Sequence, residues 1–137
     1  MALIFDTGPL FASLDRRDPR WGDCRVLIEQ ATEPLVIPAP VLVEVDYFIN
    51  QRLHPGILVG LLDDIGIGAF RVEDLTIHDY GRVRYLTDRY ADSDIGFVDA
   101  AVLAITERLN ERKLATFDKR HFSMLRPRHV EALTLLP

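Results

Sequence analysis

Four carboxylates in this chain stand where a carboxylate is costly or conspicuous. Asp6, in "LIFDTGPLFASLD", directly follows apolar residues that read as a buried strand. Asp118, in "LATFD", ends a second short apolar run in the same way. Asp99, in "SDIGFVDAAVLAITERLNER", has Ile95, Val102 and Leu103 at i−4, i+3 and i+4. That spacing sets it on the apolar stripe of a helix, where an unpaired carboxylate costs several kcal/mol. Glu44, in "VLVEVDYFI", is flanked on its helical face by Val41 and Phe48. Asp46 has Leu42 and Ile49 on its own face, so periodicity does not choose between the two.

Each acid alone has an ordinary explanation. Asp6 and Asp118 could end a turn or cap a helix, and Asp99 could meet a buried arginine or backbone donors. Brought together, they would repel one another and hold raised pKa values. A hard divalent cation relieves that repulsion, and Mg²⁺ and Mn²⁺ favour oxygen ligands. Other chemistry finds little support. "GIGAFR" lacks the third glycine of a dinucleotide fingerprint, and there is no phosphate-binding P-loop. His54, His78, His121 and His129 are not paired with cysteines at zinc spacing. Ser13 and Ser123 lie in no nucleophile elbow.

The elements that must position these acids alternate. Strands are expected at residues 2–5, 35–40, 69–72 and 113–116, with another in "EALTLL" near the end. Helices are expected at roughly 7–15, 19–32, 39–52, 55–65, 76–91 and 95–112, the third using Pro40 near its first turn. Ser93 or Asp94 is the expected cap of the last. Short apolar strands alternating with helices predict an α/β domain with a mainly parallel sheet flanked by helices. Ligands in such sheets bind at the carboxyl ends of the strands, which is where Asp6 and Asp118 fall.

Composition sets the outer bounds. The chain's 137 residues, 48% apolar, suit one globular domain over 1–137 with an ordinary core. No apolar run approaches the roughly 18 residues of a membrane span, and Asp6 comes too early for a signal peptide. The single cysteine, Cys24, excludes an intrachain disulfide, and a reducing cytoplasm is the expected setting. The net charge is −5, yet "KRHFSMLRPRH" (119–129) holds four Lys/Arg and no acid. A solvated loop is the plain reading of that run, although a local basic patch on an acidic protein can also contact phosphates.

The blocks "IFDTGPLFASLDRRD", "PAPVLVEVDYFI", "GFVDAAVLAITERL" and "LATFDKRHFSMLRP" together resemble the PIN-domain family, most closely the VapC toxins of bacterial toxin–antitoxin pairs. They occur in the family's order and span nearly the whole chain. The resemblance implies a PIN fold and a Mg²⁺- or Mn²⁺-dependent endoribonuclease that hydrolyses RNA with a metal-activated water. It also implies inhibition by a small VapB-type antitoxin. Carried over by motif, Asp6 and Asp99 are the principal metal ligands, and Glu44 and Asp118 complete the catalytic acids. Glu44, rather than Asp46, takes the acidic position of the middle block. Thr7 and Thr116 match small hydroxyl positions beside the acids, and Asp92 and Asp94, just before the third block, are left open.

Further expectations follow. Lys119, Arg120, Arg126 and Arg128 are expected to hold the RNA backbone. The 39–52 helix and "ILVGLL" (57–62) carry more apolar residues than one core face requires, which predicts a homodimer. Two rivals are weaker. A phosphotransfer enzyme of the haloacid-dehalogenase type would need a second Asp two residues after Asp6, where Gly8 stands. A non-catalytic RNA- or protein-binding module has no use for four acids.

Overall fold

Leu3, Ile4 and Phe5 are fully enclosed, as a strand covered on both faces must be. In the computed structural model, which describes residues 1–137, they form β1 (Leu3–Phe5), the middle strand of the sheet. The chain continues through α1 (Thr7–Leu14), α2 (Trp21–Glu29), β2 (Leu35–Pro38), α3 (Ala39–Arg52), α4 (Pro55–Gly66) and β3 (Arg71–Glu73). Then come α5 (Ile77–Arg89), a 3₁₀ turn (Ala91–Ser93), α6 (Phe97–Arg108), β4 (Lys113–Ala115), α7 (Lys119–Met124) and β5 (Thr134–Leu136). Pro40 lies in the first turn of α3, as expected.

All five strands are parallel, in the order β3-β2-β1-β4-β5. The sequence predicts a mainly parallel sheet; the sheet is wholly so. β2 and β3 extend from one side of β1, β4 and β5 from the other. The strand order therefore reverses between β1 and β4, and at such a switch point the loops part to leave a crevice. Asp6 follows one of those two strands and Asp118 the other.

α6 explains why its sequence is apolar nearly all round. Residues Ala100 to Thr106 are buried without interruption, so the helix runs through the core and only its first turn can present Asp99 outward. The helix is shorter than expected at both ends. Asp94 adopts a left-handed conformation (φ 57°) that ends the 3₁₀ turn, and Gly96, with no side-chain bond, is the N-cap. Neither Ser93 nor Asp94 caps the helix. At the far end Asn110 turns left-handed (φ 56°), a geometry that terminates helices.

The basic run at 119–129 is not the solvated loop its charge suggests. Its first half is α7, capped by Asp118 Oδ1 accepting from the His121 amide (3.2 Å). Phe122 and Leu125 anchor it in the core. Burial of two apolar side chains outweighs the run's overall polarity.

Candidate metal centre

Asp6 is in the N-cap position of α1, yet its carboxylate makes no capping bond to that helix. Instead its Oδ2 accepts a 2.7 Å hydrogen bond from the Thr116 hydroxyl, across the switch point. The Asp6 amide donates to Ala115 O (2.9 Å), so the end of β4 fixes both backbone and side chain. Thr7 donates its hydroxyl to Glu44 Oε1 (2.6 Å) and so ties α1 to α3. The Asp118 amide donates to Thr116 Oγ1 (3.0 Å). Both threonines expected beside the acids thus orient carboxylates or the loop that carries one.

Asp6, Glu44, Asp99 and Asp118 line one cleft of about 420 Å³. Asp46 does not line it; it accepts from Asn50 Nδ2 (3.2 Å) one turn along the same helix. Asp92 and Asp94, in and after the 3₁₀ turn, also stand outside the cleft. Gly8 is needed where it is. A Cβ there would lie 2.7 Å from the Phe117 ring, the residue immediately before Asp118.

Like charges in a partly dry cleft leave their mark on acidity. Burial raises the Asp6 pKa, and the charges of Glu44 and Asp118 add to this, against the pull of the Thr116 hydroxyl. Asp99 is pushed up to about 6, first by burial and then by Asp6 and Asp118, with His121 opposing. A cation held among them would relieve the burial and repulsion that raise Asp6 and Asp99. All four offer hard oxygen, which fits Mg²⁺ or Mn²⁺.

His121 is the residue that motif reading leaves out. Its Nδ1 lies 2.7 Å from Asp118 Oδ2 and 3.3 Å from Asp99 Oδ2. Which ring nitrogen carries the hydrogen is set by the tautomer, and a hydrogen on Nδ1 serves either carboxylate. One ligand atom from each of Asp99, Asp118 and His121 lies within 4.8 Å of the others, close enough to share an ion. The available signal was a histidine one helical turn after an acid at an N-cap.

The basic residues of the 119–129 run stand outside the acidic cleft. Lys119 Nζ donates to Pro137 O (3.1 Å), Arg120 is exposed, and Arg126 and Arg128 line a separate groove beside α5. None of the four lines the acidic cleft; Arg20 and Arg52 do. Arg20 lies over the Phe117 ring at 3.8 Å and is paired with Asp18, while Arg52 packs over Phe48 (5.3 Å) and forms no ion pair. Only folding brings these two arginines to the acids.

Residues 3–126 match the PIN domain. The chain belongs to the PIN-domain family. Over 135 residues it is 28% identical to Ribonuclease VapC26 of Mycobacterium tuberculosis, spanning 98% of this chain and all of that protein. The crystal structure of VapC20 from the same organism, a toxin that cleaves the sarcin–ricin loop, superposes with a TM-score of 0.79. It is 22% identical, over 94% of this PIN domain and 98% of that chain. VapBC2 of Rickettsia felis, solved on a promoter DNA fragment, gives a TM-score of 0.72 at 16% identity over the full length of both chains.

Proposed function

We propose that this PIN protein is a Mg²⁺- or Mn²⁺-dependent endoribonuclease, the toxin of a VapBC-type toxin–antitoxin pair, acting in the cytoplasm on RNA. The observation that carries the reading is the convergence of Asp6, Glu44, Asp99 and Asp118 in one cleft. The full-length similarity to a ribonuclease toxin supports it.

In this reading Asp6 and Asp99 are the principal ligands, with Glu44 and Asp118 completing the acidic ring. A divalent cation held by these acids would supply charge neutralisation at the scissile phosphate and a more acidic water. Thr7 and Thr116 fix the rotamers of Glu44 and Asp6, so little reorganisation is left for the reaction. His121 is a positioning residue: its ring orients Asp118 and bridges it to Asp99. Arg52, uncommitted at the cleft wall, holds a phosphate oxygen of the bound strand. Only one histidine is near, and its Nδ1 is engaged by two carboxylates. A mechanism using the RNA's own 2′-hydroxyl needs both a base and an acid, so direct hydrolysis leaving a 5′-phosphate and a 3′-hydroxyl is expected.

The partner reading is a VapB-type antitoxin and a second copy of the chain. For the homodimer the support is Val43 and Tyr47 on α3, 73% and 60% exposed, with Val59 and Leu62 on α4 also exposed. Light scattering of the purified protein tests it; a monomer across micromolar concentrations would count against it. The function itself is tested on purified protein and RNA. Cleavage with Mn²⁺ or Mg²⁺, stopped by EDTA and by Asp99→Asn, is expected. RNA binding without cleavage under any metal would favour a non-catalytic module, and 2′,3′-cyclic phosphate ends would overturn the chemistry.

A further inference from the structure

A groove of about 320 Å³ runs between α5 and the chain just after α7, lined by arginine and tyrosine. We infer that it is a second contact surface for single-stranded RNA, in which Arg89, Arg126 and Arg128 hold phosphates and Tyr85 stacks a base. The inference rests on the ribonuclease reading, since it supplies the substrate of that site with a second foothold.

The groove is built. Arg82 is bound by Glu107 through two 2.8 Å hydrogen bonds, and its Nη2 also donates to Arg126 O (3.3 Å). Glu107 Oε2 accepts from the Arg128 amide (2.7 Å), and Tyr90 Oη accepts from the Arg126 amide (3.2 Å). A buried ion pair and a tyrosine therefore grip the backbone at 126 and 128. The side chains of Arg126 and Arg128 are left exposed and free of any ion pair, as is that of Arg89.

Three unpaired guanidiniums beside one another on a protein of net charge −5 repel, and a polyanion removes that repulsion. The aromatic rings favour nucleic acid over an acidic peptide. Tyr85 is half exposed with Arg128 5.9 Å from its ring centre, and Arg89 lies 5.7 Å from that of Tyr90. The buried Arg82 also lies over the Tyr85 ring, at 5.4 Å, and guanidinium beside a half-exposed ring suits a phosphate followed by a base. Position agrees as well. Asp118, in the acidic cleft, caps α7, whose six residues run about 9 Å to Met124, two residues before Arg126.

The test uses the full chain carrying Asp99→Asn, with cleavage silenced, and a fluorescent single-stranded RNA of mixed sequence. Replacing Arg89, Arg126 and Arg128 together with Ala should weaken binding at least tenfold. It should also reduce the slope of log affinity against log salt by about 2, at roughly 0.7 for each phosphate no longer neutralised. Tyr85→Ala should weaken binding about tenfold with the salt slope unchanged. With the acids intact, the triple variant should raise KM with kcat held, and less so as the RNA is shortened. Photocrosslinking of 4-thiouridine RNA to the unmodified groove should label the peptide containing Tyr85, a result independent of how the variants fold. Unchanged affinity and salt slope in a folded triple variant, or crosslinks confined to the acidic cleft, would overturn the groove and leave the nuclease standing. Failure of the intact protein to bind or cleave RNA would overturn both.

Discussion

Two regions of this molecule bury charge in opposite ways. Where α5 packs on α6, every buried charge has its complement: Arg82 with Glu107 at 2.8 Å, and Asp79 with Arg108 at 2.9 Å. At the switch point between β1 and β4, four carboxylates face one another with one histidine and the arginines of the cleft wall for company. The first arrangement holds two helices in register. The second is a standing electrostatic deficit, held in place by the fold around it rather than by itself. Charge between the helices is neutralised within the chain, and charge in the cleft is left open.

Breaking the paired region should have the largest effect. Arg82→Met leaves Glu107 buried, its side chain only 8% exposed and the Arg128 amide its one remaining partner; removal of one partner of such a pair costs about 3–5 kcal/mol. Urea unfolding measures it, and a loss below about 1 kcal/mol, the range of a surface pair, would mean the pair is not what joins the helices. Asp99→Asn in the open region should do the reverse. Cleavage falls at least about 100-fold, while the metal-free protein becomes more stable by roughly 1–3 kcal/mol because a disfavoured charge is gone. A variant that is both inactive and less stable would contradict the contrast.

The same deficit fixes the sign of a pH dependence. Asp99 has its pKa raised from 3.8 to about 6 in the folded protein, so between those values the folded chain holds a proton that the unfolded chain releases. Its contribution to stability is full below about pH 4 and is lost as pH rises through about 6. Metal-free protein should therefore melt at lower temperature at about pH 7 than at about pH 5.5, with the difference reduced in Asp99→Asn. Saturating Mn²⁺ should reverse the trend, because the cation binds the ionised form. The smallest effect expected is from His121→Ala, about tenfold in Mn²⁺ affinity by calorimetry. An unchanged affinity would remove His121 from the site.

How much of this was legible depended on whether neighbours in sequence were neighbours in space. Asp6, Asp99 and Asp118 could be found because strand ends and helical stripes are local patterns. Glu44 and Asp46 could not be separated by periodicity, since both faces of α3 carry apolar residues; a hydroxyl from α1 makes the distinction. α7 was hidden because six mostly polar residues show no amphipathic period, and its helix depends on a cap and on Phe122 reaching the core. Arg20 and Arg52 reach the cleft only through the packing of α1, α2 and α3, and no spacing along the chain announces them.

The hydrogen bond from Thr116 to Asp6 joins residues 110 positions apart. Its consequence is one of timing during synthesis. β1 is made first, but its acid has no strand to set its geometry until β4 has left the ribosome and inserted beside it. A growing chain therefore carries three of its four acids without a cleft to put them in. The acidic cleft is thus the last part of the molecule to be assembled.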